Sequence, residues 1–177
     1  MIRKLSAILI FCLFSCASMN ERHLEEAVSN GEMLFQEKRY SEAMTVCSEA
    51  EHIARQLDDH FCLGKIYRIM AHISNAAYRY QDEIQYLKMA SDAFHNAEKP
   101  YNRLYVDMEK GMAYYNVSDY ASAEKVYRDV LYRAYEVSDT ALQAQCLSAY
   151  AALSLEVSRP DPSLAIDMLS RVANDLK

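Results

Sequence analysis

The sequence predicts an all-α protein, a solenoid in which antiparallel helix pairs stack side by side. Small residues recur every 40 positions, at Gly31, Ala71, Gly111 and Ala151. Tyrosines follow nine positions later on the same period, at Tyr40, Tyr80 and Tyr120. A fixed period of about 20 to 50 residues is typical of repeat arrays. The 177 residues include only 3 Gly and 3 Pro, which favours long helices over a β-fold with many turns.

Apolar residues at helical spacing predict about four helix pairs, in units of about 21–59, 60–99, 100–139 and 140–177. The third unit is the clearest. Its first helix carries Leu104, Met108, Gly111 and Tyr115, and its second carries Tyr120, Ala123, Tyr127, Val130, Leu131 and Ala134. Residues 116–119 predict a tight turn between them. Asp139 and Pro100 are placed to begin the helices that follow them, one as a cap and one at the first turn.

The fourth unit departs slightly from the period. Its turn contains Pro160, Asp161 and Pro162 and is two residues longer, and Asp161 before a proline predicts a helix start. The last helix then carries Leu164, Ala165, Met168, Leu169 and Val172. Its apolar face has no polar capping helix after it, as terminal repeats normally require. We therefore expect a partner, a second copy of the chain or further repeats to cover this face.

The spacing of small and aromatic residues resembles the tetratricopeptide repeat family, in the long-helix form with a 40-residue period. That family has a small residue in the first helix, an aromatic at the start of the second and a small residue three places later. The matching triplets are Gly31, Tyr40 and Ala43; Ala71, Tyr80 and Glu83; and Gly111, Tyr120 and Ala123. Glu83 breaks the rule, and we expect Ile84 to make the contact instead. The resemblance covers residues 21–177 and implies a right-handed superhelix.

The first fifteen residues read as a signal peptide. Arg3 and Lys4 precede an apolar run from Leu5 to Phe14, which is too short to span a bilayer. The run ends before Cys16 in a string that resembles the lipobox of bacterial lipoproteins, although Phe14 is bulkier than that pattern prefers. We expect lipid modification at Cys16 and a short tether over residues 16–20. An ordinary secretory signal and a buried N-terminal helix remain alternatives.

Three cysteines are left in the predicted repeat domain: Cys47, Cys62 and Cys146. An odd number does not form a closed disulfide framework. Cys47 and Cys62 would lie at different heights of an antiparallel helix pair, too far apart to bond. We therefore expect buried thiols that act as small apolar side chains.

The sequence contains no motif that points to catalysis. Three isolated glycines cannot form a phosphate loop, and no serine lies in a nucleophile elbow. His60 and Cys62 are two possible metal ligands where a zinc site needs three or four. A net charge of −6 argues against nucleic acid as a partner. We expect no enzyme activity, no metal and no cofactor.

The family resemblance implies that the first helix of each unit lines a concave groove. From the first three units it places nine candidate binding residues there: Phe35, Arg68, His72, Asn75, Tyr105, Met108, Met112, Tyr115 and Asn116. The fourth unit adds Gln145, Ser148, Ala152 and Leu155. Exposed aromatic, methionine, arginine and amide side chains are typical of recognition surfaces. The alternative is that the tyrosines cover the core and the amides are merely solvated.

Some members of the family hold the C-terminal carboxylate of chaperones with a Lys/Asn/Arg clamp. The matching positions here include Val28, Glu32, Tyr105 and Glu109, so this clamp is missing. The sequence then predicts a non-catalytic scaffold of the bacterial cell envelope, lipid-anchored at Cys16, that binds a protein or peptide through its groove. The outer membrane or the periplasmic face is the expected location. The alternative is a sensor segment of a larger signalling or transcription-regulatory protein.

Overall fold

A computed structural model describes residues 21–156 of the chain. The predicted signal peptide, Cys16, the tether and the predicted last helix from Pro162 lie outside the described residues. The described part is all α-helix: α1 (residues 21–36), α2 (Tyr40–Gln56), α3 (His60–Ala76), α4 (Tyr80–Asn96), α5 (Pro100–Asn116), α6 (Tyr120–Glu136) and α7 (Thr140–Glu156). Each helix packs against the next along the chain. The prediction of an all-α protein with successively packed helices is therefore confirmed over these residues.

The turns between helices repeat at half the period seen in the sequence. Helices α2 to α7 each span 17 residues, and each begins 20 residues after the previous one. One residue in every turn has a left-handed backbone: Lys38, Asp58, Tyr78, Glu98, Ser118 and Ser138. The residue after it donates back to a carbonyl five positions earlier, as Asp59 does to Ala54 at 2.9 Å. This is a Schellman motif, and it reverses the chain at the same place each time.

None of these left-handed residues is glycine, although glycine is the residue that adopts this conformation without steric cost. We expect Tyr78→Gly, at a φ of 58°, to raise the free energy of unfolding by about 0.5–1 kcal/mol. The matched control is Ala77→Gly, since Ala77 has a φ of −93° and gains only disorder in the unfolded chain from the change. Urea titrations of both variants test this, and equal effects at the two positions would contradict it.

Aspartates cap three of the helix starts. The side chains of Asp59, Asp119 and Asp139 accept hydrogen bonds from backbone N–H groups three residues later, at 2.9, 3.1 and 3.0 Å. Pro100 occupies the first turn of α5, where its missing N–H is not needed. The predicted cap at Asp139 and the predicted helix start at Pro100 are thus confirmed.

The recurring small residues allow close contact between the two helices of a pair. A Cβ atom added at Gly31 would meet the Sγ atom of Cys47 at 2.9 Å, and one added at Gly111 would overlap the ring of Tyr127. Both contacts join residues 16 positions apart, so they are the same contact in two different pairs. The close approach explains why small residues mark the period.

Buried thiols occur where the sequence predicts them. Cys47, Cys62 and Cys146 are free and buried. Burial in apolar surroundings raises the pKa of Cys47 to about 11. Burial is also the largest cause of the raised pKa of Cys146, which is about 12. Both thiols therefore stay protonated at neutral pH, and they serve as small apolar side chains.

Candidate binding groove

A groove of about 750 Å³ lies between α5 and α7. Its lining comes from three helices and consists of Met108, Met112, Tyr115, Asn116, Tyr127, Ala144, Gln145, Ser148, Ala149 and Ala152. Four of the nine candidate residues, all of them on α5, thus lie together with three of the residues expected from α7. Ala144, Ala149 and Tyr127 were not expected there. The two alanines lie on α7, which presents small side chains on successive turns, and Tyr127 comes from α6.

The floor and the rim of the groove differ in exposure. Met108 is buried, and its Sδ atom lies 3.4 Å from the Sγ atom of Cys146 beneath it. Met112 is 52% exposed, so its thioether is free to contact a ligand. Asn116 is also exposed. The groove therefore combines a fixed apolar floor with an accessible methionine and an amide at its rim.

Tyr115 closes one end of the groove. Its ring packs against Tyr120, with 5.6 Å between the ring centroids. Its hydroxyl donates to Glu156 Oε1 at 3.5 Å and so links the last turns of α5 and α7. Burial, followed by the nearby Glu156 carboxylate, raises the pKa of this hydroxyl. Tyr115 consequently remains a neutral donor at physiological pH.

Tyr105, another candidate, lies outside the lining of this groove. Its hydroxyl donates to Asp139 Oδ2 at 2.8 Å, across to the turn before α7. That hydrogen bond is the main reason why the pKa of Tyr105 is raised. With its ring 37% exposed, Tyr105 joins the first half of α5 to the start of α7 rather than facing the groove.

The candidates on α1 and α3 are engaged with one another and with α5. Arg68 donates from Nη2 to Glu109 Oε1 at 2.5 Å and from Nε to both carboxylate oxygens at 3.0 and 3.1 Å. His72 Nε2 lies 3.3 Å from Glu109 Oε2, and the His72 ring contacts Phe35 at 5.7 Å between centroids. Burial by itself would raise the pKa of Glu109, but hydrogen bonds from His72 and Arg68 outweigh it and lower the pKa. This end of the face keeps a smaller cavity of about 340 Å³, lined in part by Phe35, Arg68 and His72, and internal ion pairing engages the two cationic candidates there.

Asn75 is also used within the protein. Its Nδ2 atom donates to both carboxylate oxygens of Glu83, each at 3.0 Å. Glu83 occupies the position where the repeat pattern has a small residue, and it is only 6% exposed. Burial raises its pKa, and the hydrogen bond from Asn75 opposes that shift. Ile84, the next residue, is buried as well. The amide expected to face a ligand instead satisfies a buried carboxylate.

A buried charge cluster holds α4, α5 and α6 together. Asp107, only 4% exposed, accepts from Ser91 Oγ at 2.8 Å, from Lys110 Nζ at 2.5 Å and from Arg133 Nη2 at 2.7 Å. Sequence reasoning did not predict it, because its partners lie 3, 16 and 26 positions away and each resembles an ordinary surface residue. The cluster fixes α5, which forms one wall of the groove, against α4 and α6.

Within residues 21–156, no group of three or more His, Cys, Asp or Glu side chains is arranged to hold a metal ion. Over the same residues, none of the helices has both the length and the apolar character needed to span a membrane. No protein-family model matches the chain, and a search of curated proteins finds no match either. The groove is therefore interpreted from its own residues.

Proposed function

We propose that this protein is a non-catalytic scaffold that binds a peptide segment of another protein in the groove between α5 and α7. The observation that carries the proposal is the lining of that groove, which is apolar and wide and has an exposed methionine and amides at its rim. Ligand sites are typically concave, mostly apolar and provided with a few polar groups that orient the ligand. Methionine adds an adaptable surface, which suits binding of flexible segments.

The described helices fit a solenoid of the tetratricopeptide type. Successive helices have equal lengths and identical turns, and the odd-numbered α5 and α7 also contact one another. We infer that the array continues as a right-handed superhelix with α1, α3, α5 and α7 on its concave side. Solenoids generally use that side for binding.

A charge placed in the groove is expected to weaken binding without unfolding the protein. We expect Met112→Glu to lower the affinity for peptides selected from a random library by at least about tenfold. The new carboxylate would be desolvated in the groove without a partner. Met33→Glu on α1 is the matched control, since Met33 is equally exposed at 51% and lies outside the groove. Fluorescence anisotropy measures both. Peptides that bind Met112→Glu and the wild type equally well would contradict the proposed site.

We further propose that the scaffold is anchored to the bacterial envelope by lipid at Cys16. The sequence alone supports this, through the basic start, the apolar run and the lipobox-like string. Cells fed a radiolabelled fatty acid are expected to label the wild type and to leave Cys16→Ala unlabelled, while Cys12→Ala keeps its label. A wild type that carries no label would refute the anchor and leave the groove proposal untouched.

A further inference from the structure

We propose that the floor of the groove binds one soft monovalent metal ion, Cu(I), between the thiolate of Cys146 and the thioethers of Met108 and Met112. The proposal goes beyond the peptide-binding function and does not depend on it. It follows from a contact between two sulfur atoms, from a second thioether on the same helix face, and from the charge balance of the site.

Two sulfur atoms from different helices meet beneath the groove. The Cys146 Sγ atom on α7 lies 3.4 Å from the Met108 Sδ atom on α5. Cys146 is fully buried, whereas Met108 forms part of the groove lining. Two sulfurs bound to one metal at about 2.3 Å each lie about 3.8–4.0 Å apart for a tetrahedral or trigonal angle at the metal. The flexible methionine therefore needs to move by only about half an ångström to admit the ion.

A second thioether lies one helical turn away. Met112 follows Met108 by four residues, so both side chains are on the same face of α5, and both line the groove. Met112 is 52% exposed, so its unbranched side chain can change rotamer without disturbing the core. Met112 thus offers a third sulfur at the point where a metal ion would enter from solvent.

Ligand softness and charge select the metal. Thiolate and thioether sulfurs are soft ligands that suit Cu(I). One thiolate with one Cu(I) ion is neutral, so the complex adds no net charge to a groove whose lining residues are all uncharged. Zn²⁺ would leave one positive charge uncompensated there and would lack its preferred set of four ligands.

The charged side chains around the site do not upset this balance. The two that influence the pKa of Cys146, Arg133 and Asp139, have opposite signs. Glu156 lies at the end of the groove, ten residues from Cys146 and therefore about 15 Å along α7. The metal ion would consequently find its counter-charge in the Cys146 thiolate itself.

Binding exchanges a proton for the metal ion. In the metal-free chain burial keeps the Cys146 thiol protonated, with a pKa of about 12. A coordinated metal ion deprotonates the thiol, so the S–H bond breaks, a Cu–S bond forms and the proton leaves to the solvent. Copper stays Cu(I), and no electron is transferred. The histidine and cysteine spacing that argued against a metal site does not involve thioethers, so it gave no sign of this one.

The other two buried thiols provide internal controls. Within residues 21–156, neither Cys47 nor Cys62 has a thioether sulfur at hydrogen-bonding distance. Both belong to a core cluster formed mainly by the first four helices, whereas Cys146 and Met108 belong to the cluster of α5, α6 and α7. A metal ion that only required a buried thiol would bind at all three cysteines.

The test uses the chain from Cys16 to Lys177 with Cys16→Ala in every protein, which leaves Cys47, Cys62 and Cys146 as the thiols. Cu(I) is titrated anaerobically in competition with a chromogenic Cu(I) chelator, and near-ultraviolet thiolate-to-copper absorption reports on the Cu–S bond. We expect one Cu(I) ion per chain. Cys146→Ala is expected to lose it, whereas Cys47→Ala and Cys62→Ala keep it. X-ray absorption at the copper edge is expected to show only sulfur neighbours.

Two conservative variants test the thioethers. Met108→Leu and Met112→Leu remove the sulfur but keep an apolar side chain of similar volume, an exchange that cores usually tolerate. We expect each to weaken Cu(I) binding at least about tenfold, since even outer-shell partners of a metal contribute that much. The matched controls are Met70→Leu, similarly buried in the other core cluster, and Met33→Leu, equally exposed on α1. Both are expected to bind Cu(I) as the wild type does.

The outcomes decide between a sulfur site and adventitious copper. Undiminished binding by Cys146→Ala, or loss of copper from all three cysteine variants alike, would show that the site is wrong. Unchanged affinity in Met108→Leu, a variant whose fold circular dichroism checks, would overturn the thioether contact on which the site depends. A Cys146-dependent Zn²⁺ complex tighter than that of Cu(I) would overturn the assigned metal. Peptide binding is tested separately by the Met112→Glu comparison, so failure of one proposal leaves the other standing.

Discussion

Replacing Asp107 with alanine is expected to lower the free energy of unfolding by about 3–5 kcal/mol, the range found when one partner of a buried ion pair is removed. The carboxylate is 4% exposed and accepts hydrogen bonds from Ser91, Lys110 and Arg133. Without it, Arg103, Lys110 and Arg133 would lose the buried counter-ion that they share. Denaturant titration followed by circular dichroism measures the loss.

The matched control is Asp129→Ala, which removes a different carboxylate from the same arginine. Asp129 lies 2.8 Å from Arg133 but its side chain is 65% exposed, so water screens the pair. Exposed pairs contribute about 0–1 kcal/mol. If both aspartate variants lose the same amount, burial is not what makes the Asp107 cluster important.

The Asp107 contribution is also expected to depend on pH. Burial by itself raises the pKa of Asp107, but hydrogen bonds from Lys110 and Arg133 more than offset this and lower it below the ordinary value of 3.8. A group whose pKa is lowered by folding stabilises the protein above its unfolded pKa, and the effect is lost as the pH falls through the folded pKa. The difference between wild type and Asp107→Ala should therefore shrink below about pH 4. A difference that grows on acidification would contradict the cluster.

Substitution of Gly111 by alanine is the second large effect that we expect. In a helix interior alanine is more favourable than glycine by about 1 kcal/mol, so the substitution would be stabilising on an exposed helix surface. Here the new methyl group would overlap the ring of Tyr127, which is 2% exposed and packed in the core. Overpacking of a core costs about 1–3 kcal/mol. We expect a net loss of about 2 kcal/mol, because the Tyr127 ring and the helix backbone must both move.

Gly31→Ala is the control, because it makes the same helix-pair contact with a smaller partner. The added methyl group would meet the Cys47 Sγ atom at 2.9 Å, and a single sulfur can shift more easily than a ring. We expect a change within about 1 kcal/mol of zero. Thermal unfolding of both variants measures the difference. A Gly111→Ala protein as stable as the wild type would show that α5 and α6 are not held as closely as the structure has them.

The helices and their caps could be read from the sequence because they depend on local signals. Apolar spacing of three and four residues marks each buried stripe, and Asp139 and Pro100 act on their own helix starts. The conformation of the turns was harder to predict from the sequence. Their left-handed position holds Lys, Asp, Tyr, Glu and Ser instead of the glycine that would have marked it, so the 20-residue repeat of the turns left no trace in composition.

The candidate groove was only partly predictable, because pairing across helices decides which polar side chains are free. Arg68 and Asn75 share the register of Met108 and Tyr115 one period later, and the sequence gives no reason to separate them. In the structure Arg68 donates hydrogen bonds to Glu109, and Asn75 donates hydrogen bonds to Glu83. Glu83 is the residue that breaks the repeat pattern. Because its carboxylate is buried, it needs a hydrogen-bond donor, and the Asn75 amide supplies one. Contacts of this kind engage the polar candidates on α3, whereas Met112 and Asn116 on α5 stay exposed.

Site-specific photocrosslinking tests the central claim most directly. A benzophenone amino acid is placed at position 112, in the groove, or at position 33, on exposed α1, and cells that produce each protein are irradiated. Binding in the groove predicts a discrete crosslinked product from position 112 that is absent from position 33. Identical products from both positions, or a product from position 33 alone, would contradict the groove as the binding surface.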